Sequence, residues 1–195
     1  MVSVWPTVGI LGYQGCIEPH EIMFAQLGAK TLRVRTPEDL TLIDKLILPG
    51  GESTTMLKFL SSYRMVAPIR EFAKTKSVWG ICAGAILAAA EVCNPDQDSL
   101  KIIDIAAHRN FYGPQTDSFS TRISIDFLPS PIEAQFIRAP LLSTCALRPD
   151  AKPVTTHATV ESQPVFLSQG TVWVTSFHVE LGSDTSLHQA FLAHA

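Results

Sequence analysis

Thr7 to Tyr13 is a run of mostly apolar positions that predicts a buried first strand, with Gln14-Gly15 following as a turn. Between Glu18 and Leu27 the apolar positions Ile22, Met23 and Leu27 fall at helical spacing, and Gly28 stands where a C-capping glycine belongs. Thr31 to Val34 predicts a second strand, and Thr36-Pro37-Glu38-Asp39 a helix start with proline at its first position. Ile43 to Leu48 is a third strand that runs straight into Pro49-Gly50-Gly51-Glu52-Ser53-Thr54. From Ser77 a fourth β-branched and aromatic run ends at Gly80, and the Ala/Leu-rich segment behind it, as far as Glu91, has strong helix propensity.

The pattern changes after Glu91. Lys101 to Ala107, Ser120 to Phe127, Ala134 to Ile137, Val154 to His157, Pro164 to Leu167 and Thr171 to Ser176 all predict strands. Leu128 to Pro131 reads as a loop, and helix returns only at Ser186 to Ala193. Strands alternating with helices imply an α/β protein whose mostly parallel sheet is covered on both faces. The second half implies an antiparallel extension of it. Ligands in such sheets bind beyond the carboxyl ends of the strands. Gln14-Gly15, Gly50-Gly51-Glu52-Ser53 and Cys82 all fall at such ends.

Composition narrows the class. With 195 residues, 46% hydrophobic and 17% charged, the chain suits one α/β core, and residues 1–195 are read as a single domain. A net charge of −3 leaves no electrostatic footprint for nucleic acid. No run is long enough to span a bilayer, since the uncharged stretch Val78 to Ala90 falls short. The cysteines at 16, 82, 93 and 145 form no C-x-x-C pair, which suits reduced thiols in a cytoplasmic protein. Burial is the expected role of Cys16, Cys93 and Cys145. His157, His188 and His194 lack metal-ligand spacing.

Gly80-Ile81-Cys82-Ala83-Gly84 places one thiol at a strand-to-helix bend, between glycines that permit close approach and φ > 0. It reads either as a nucleophile or as a buried cysteine in a tight turn. A nucleophile needs a base oriented by a third group. Among the six histidines His178 is the best placed, because it ends the strand TVWVTSF and Glu180 follows two residues later. In extended backbone those two side chains share a side. The order Cys82, His178, Glu180 argues against an α/β-hydrolase, in which the acid sits on a separate loop.

These residues, Gly80 to Gly84 with Phe177-His178-Val179-Glu180-Leu181, resemble the class I (triad) glutamine amidotransferases. Pro49 to Met56, His108 to Phe119 and Phe136-Ile137-Arg138-Ala139-Pro140 narrow the resemblance to the glutaminase subunits of pyridoxal 5′-phosphate synthase. The resemblance implies a three-layer, flavodoxin-like fold. It also implies hydrolysis of L-glutamine to glutamate and ammonia without metal or cofactor, with the ammonia passed to a separate synthase (lyase) subunit. Cys82 would be nucleophile, His178 base and Glu180 its orienting acid. Gly51, Glu52, Ser53, Arg109, Ile137 and Arg138 would hold glutamine, and Gln14 would lie near the partner's docking surface. His20 is expected on that surface too.

The chemistry fits those implications. Glutamine's α-carboxylate suits the planar fork of Arg109 or Arg138, and Glu52 suits its ammonium. Backbone N–H groups at Gly50 and Gly51 would stabilise an oxyanion, an effect of roughly 3–4 kcal/mol per donor. Two positions depart from the family: Val179 stands where proline is usual, and Tyr13 precedes Gln14-Gly15 in place of leucine. Two other readings remain: a cysteine enzyme resembling the DJ-1/PfpI-like proteins, and a scaffold subunit without turnover. The first leaves His178, Glu180 and Arg109 idle. The second predicts that replacing Cys82 changes nothing.

Overall fold

A computed structural model of the chain describes residues 5–109 and 118–194. Part of the His108 to Phe119 stretch, residues 110–117, lies outside the described residues. The main sheet has seven strands in the order β10-β11-β12-β4-β3-β1-β2. Its parallel part is β1 (Val8–Leu11), β2 (Thr31–Val34), β3 (Lys45–Leu48), β4 (Ser77–Ile81) and β12 (Val172–Thr175). The antiparallel extension is β10 (Thr155–Val160) and β11 (Gln163–Gln169).

Alternation along the strands explains the three layers. Leu46, Leu48, Val78, Val172 and Val174 point to one face, where α2 (Ser53–Ser62), α3 (Val66–Phe72) and α4 (Ala83–Ala88) supply Met56, Leu60, Ile69 and Leu87. Ile47, Trp79, Ile81 and Trp173 point to the other, against Phe24 of α1 (Ile17–Gln26) and Phe191 of α5 (Ser186–Ala193). Burying each such side chain contributes about 1.5–3 kcal/mol, so a parallel sheet is stable only with both faces covered.

Three expectations are corrected. The helix behind Cys82 stops at Ala88, and Ala89–Cys93 forms β5, paired in parallel with β6 (Ile103–His108). Strand pairing there overrides the helix propensity of the alanines. The start at Thr36-Pro37 gives only a 3₁₀ turn, Glu38–Leu42. The second-half strands do not all extend one sheet. With β9 (Leu141–Thr144), β5 and β6 form a three-stranded sheet, and β7 (Phe119–Ile123) with β8 (Ile132–Phe136) a two-stranded one.

Candidate active site

The order of strands reverses at β1 and β3: β2 is added beyond β1, and β4 beyond β3. Loops at such a switch point diverge and leave a crevice. Here the loop after β1 meets the loop after β3. Cys16 N–H donates to Gly50 O at 2.9 Å, and a Cβ on Gly15 (φ 111°) would fall 2.0 Å from that oxygen, so only glycine fits.

Cys82 lies on the next strand over. Its φ of 49° and ψ of −102° are a strained conformation for a residue with a side chain, at a cost on the order of 1–3 kcal/mol. The strain falls on the cysteine and not on its glycines, neither of which has positive φ. The glycines serve close approach. A Cβ at Gly84 would lie 1.9 Å from Leu48 O, and one at Gly80 2.6 Å from Gly84 O. The bend is held by Cys82 N–H to Thr175 O at 2.8 Å, and the thiol contacts Ile137 O at 3.8 Å.

His178 is fixed at the backbone by a two-way bridge to Gln135, with N–O distances of 2.8 and 3.0 Å. Its Nδ1 lies 2.6 Å from Glu180 Oε1, and Val179 N–H donates to Glu180 Oε2 at 3.0 Å. With Nδ1 committed to the carboxylate, Nε2 is left for sulfur. Gly50 packs on the ring, where a Cβ would come within 2.3 Å of Cε1.

Electrostatics follow from burial and pairing. Burial alone would depress His178, but hydrogen bonds to the Cys16 and Cys82 thiols and to Glu180 outweigh it and push the imidazole up to about 12. Burial alone would raise the Glu180 carboxyl, yet His20 and His178 together pull it down to about 2. Burial depresses His20 itself, so near neutral pH the His178 contact is what holds Glu180 charged. The arrangement is a strongly basic imidazole, oriented by a carboxylate and aimed at a thiol, suited to acyl transfer.

A cavity of about 250 Å³ opens beside the thiol and is lined by Gln14, Gly51, Glu52, Ser53, Arg109, Ile137 and Arg138 as well as by Cys82 and His178. Arg138 Nη2 bonds Glu52 Oε1 at 2.9 Å, so the two groups read as holding glutamine's opposite charges hold each other here. Gln14 points into the cavity and its Oε1 accepts the Glu52 N–H at 2.9 Å. Buried Ser53 donates to Gln97 Oε1 at 2.9 Å.

Sequence reasoning misplaces four residues: Cys93 and Cys145, expected in the core, are only half-buried, and two more stand at the site. Cys16 is not simply buried, since it lines the cavity beside His178. His20 is wholly buried, 3.8 Å from Glu180, and not on a docking surface. Its place on the inner face of α1, four residues beyond Cys16, was the signal available.

Fold and site together define a class I glutamine amidotransferase. Residues 10–195 match the SNO glutamine amidotransferase family, and the chain belongs to it. The protein named pyridoxal 5′-phosphate synthase subunit PdxT from Deinococcus radiodurans is 42% identical, over 97% of each chain. Its namesake from Fervidobacterium nodosum is 40% identical over 95% of each. A crystal structure of a glutamine amidotransferase superposes with a TM-score of 0.87 at 34% identity, covering 95% of this chain and 97% of that one.

Proposed function

We propose that this chain is the glutaminase subunit of a pyridoxal 5′-phosphate synthase and acts as one domain over residues 1–195 in the cytoplasm. It hydrolyses L-glutamine and hands the ammonia to a separate lyase subunit. The observation that carries this reading is the line Cys82, His178, Glu180 at the mouth of a cavity with paired acid and base, in a chain whose relatives bear that name.

Cys82 gives its proton to His178 and attacks the side-chain amide carbon. Backbone N–H groups at Gly50 and Gly51 receive the oxyanion. His178 returns the proton to the departing nitrogen, ammonia leaves, and a γ-glutamyl thioester remains. Water, deprotonated by His178, then attacks that carbon, and glutamate departs as the thiol reforms. Arg138 and Arg109 take the α-carboxylate, and Glu52 the ammonium. Gly51, Ser53 and Ile137 shape the pocket between them. The Arg138–Glu52 bond is half exposed, and such pairs are worth about 0–1 kcal/mol, so a zwitterion can open it at little cost.

Free ammonia at neutral pH is mostly ammonium, which is no nucleophile, so delivery requires a docked acceptor. Gln14, in the loop between β1 and α1, is the residue read as lying near that docking surface. The test is glutamate release by the wild-type chain with and without the lyase subunit, and by Cys82→Ala. Slow turnover alone, faster turnover in the complex and none in the variant are expected. Unchanged release by Cys82→Ala would overturn the triad, and equal rates with and without the partner would overturn activation.

A further inference from the structure

Cys16 has no part in the steps above, yet the contact between the β1 and β3 loops sets it against the catalytic imidazole. Its Sγ, a ring nitrogen of His178 and a carboxylate oxygen of Glu180 lie within 4.8 Å of one another. Cys82 lies outside that group, but its thiol faces the same imidazole across the cavity that both cysteines line. The site therefore offers two sulfur donors and an imidazole whose other nitrogen is tied to a carboxylate at 2.6 Å.

That is a donor set for a borderline-soft divalent cation. Zinc takes thiolates at about 2.3 Å and imidazole at about 2.0 Å in a tetrahedron, and a carboxylate on the far ring nitrogen fixes the tautomer that presents a lone pair. Neighbouring donors around such an ion stand roughly 3.3–3.8 Å apart, so Cys16 Sγ and the imidazole nitrogen close by about 1 Å and the Cys82 side chain, outside that group, turns in from the cavity wall. Hard cations such as magnesium favour oxygen ligands and would not compete.

We propose that Cys16, Cys82 and His178 form an inhibitory Zn²⁺ site, with the fourth position open to water from the cavity. Binding is ligand exchange without redox. The Cys82–His178 pair gives up the one proton it shares and Cys16 gives up its thiol proton, so two protons leave for each ion bound. The nucleophile is then occupied, and glutamine and zinc exclude each other. Regulation of turnover in this way rests on the glutaminase reading, whereas metal binding itself does not.

The experiment has an arm for each. The full chain, freshly reduced, is titrated with Cd²⁺ and Co²⁺ and followed by thiolate-to-metal absorption. Zinc protection of each cysteine from alkylation is read by mass spectrometry on the wild-type chain, so no variant need fold. We expect one ion per chain, protection of Cys16 and Cys82 but not of Cys93 or Cys145, and a weaker thiolate band in Cys16→Ala and Cys16→Ser. Glutamate release in the complex should require at least tenfold more zinc for half-inhibition in either variant, each compared with its own metal-free rate. Protection of Cys82 alone, a thiolate band unchanged in both variants, or equal zinc sensitivity would overturn the proposal. A chain that binds the ion as described but releases no glutamate when metal-free would overturn the glutaminase reading and leave the metal site standing.

Discussion

His20 Nε2 stands 3.8 Å from Glu180 Oε1, and both side chains are wholly buried. On its other side His20 Nδ1 lies 2.9 Å from His188 Nε2. A carboxylate opposite Nε2 favours a proton there, which leaves Nδ1 to accept from His188. The acid that orients His178 thus rests on two neutral imidazoles from α1 and α5.

Those imidazoles make the fold sensitive to acid. Burial depresses His20, and burial together with His20 holds His188 down to about 3. A base depressed on folding costs nothing above its unfolded value near 6.5. Below it the unfolded chain gains protons that the folded chain refuses, at about 1.4 kcal/mol per pH unit for each group. Glu180 acts in the same direction lower down: its contribution is full above about 4.5 and is lost as pH falls toward 2. His178 acts oppositely, being stabilising below about 6.5 and losing that contribution as pH rises toward 12. Urea unfolding should therefore show stability falling steeply from pH 6.5 to 4, and His188→Phe should flatten that slope. An unchanged slope in the variant would contradict this account.

Val179 carries an N–H that a proline lacks, and it donates to Glu180 Oε2 at 3.0 Å. Hydrogen bonds to charged groups contribute about 1.5–3 kcal/mol, partly offset here by the φ restriction that proline imposes on the unfolded chain. Val179 is also 3% exposed, so its methyl groups pack in the core. Val179→Pro should keep the triad in line, lower stability by about 1–2 kcal/mol and change kcat by less than about tenfold. Thermal unfolding and steady-state kinetics on the same preparation read both effects.

Legibility from sequence followed how local each constraint is. The strands showed because Leu46, Ile47 and Leu48 are apolar on both faces, a signal needing no partner. Cys82, His178 and Glu180 stood out because glycine flanks and i, i+2 spacing are local patterns that chemistry recognises. Cys16 and His20 did not, since their places depend on Gly50 O meeting Cys16 N–H, a contact between loops far apart in the chain. β5 was hidden for a related reason: Ala89 and Ala90 prefer helix, and only pairing with β6 makes them strand. The Arg138–Glu52 bond spans loops after β8 and β3 and has no sequence signature.

Arg138 should act on binding more than on chemistry. It sits at the cavity mouth bonded to Glu52, distant in chain position from the elbow that carries the thiol. Arg138→Gln removes a cation that meets glutamine's carboxylate equally in ground and transition states. KM for glutamine should rise roughly 10- to 100-fold with kcat within about threefold. A fall in kcat at constant KM would assign the residue to the transition state instead.

Gly84→Ala tests the elbow itself. The added methyl group would lie 1.9 Å from Leu48 O and 2.6 Å from Leu48 C, both backbone atoms of a central strand that cannot rotate aside. Either β3 or the start of α4 must move, and α4 carries the bend at Cys82. Overpacking of this kind costs about 3 kcal/mol or more, against a total stability of roughly 5–15 kcal/mol. The variant should unfold at clearly lower urea, and what folds should alkylate at Cys82 more slowly than wild type, because the thiol is displaced from His178. Gly28→Ala is the control: its φ of 74° is strained for alanine, but nothing lies within 4 Å of the added carbon and the site is remote. It should lose about 1 kcal/mol and alkylate at the wild-type rate. Equal alkylation rates in both variants would mean that the close packing of α4 on β3 does not set the position of the nucleophile.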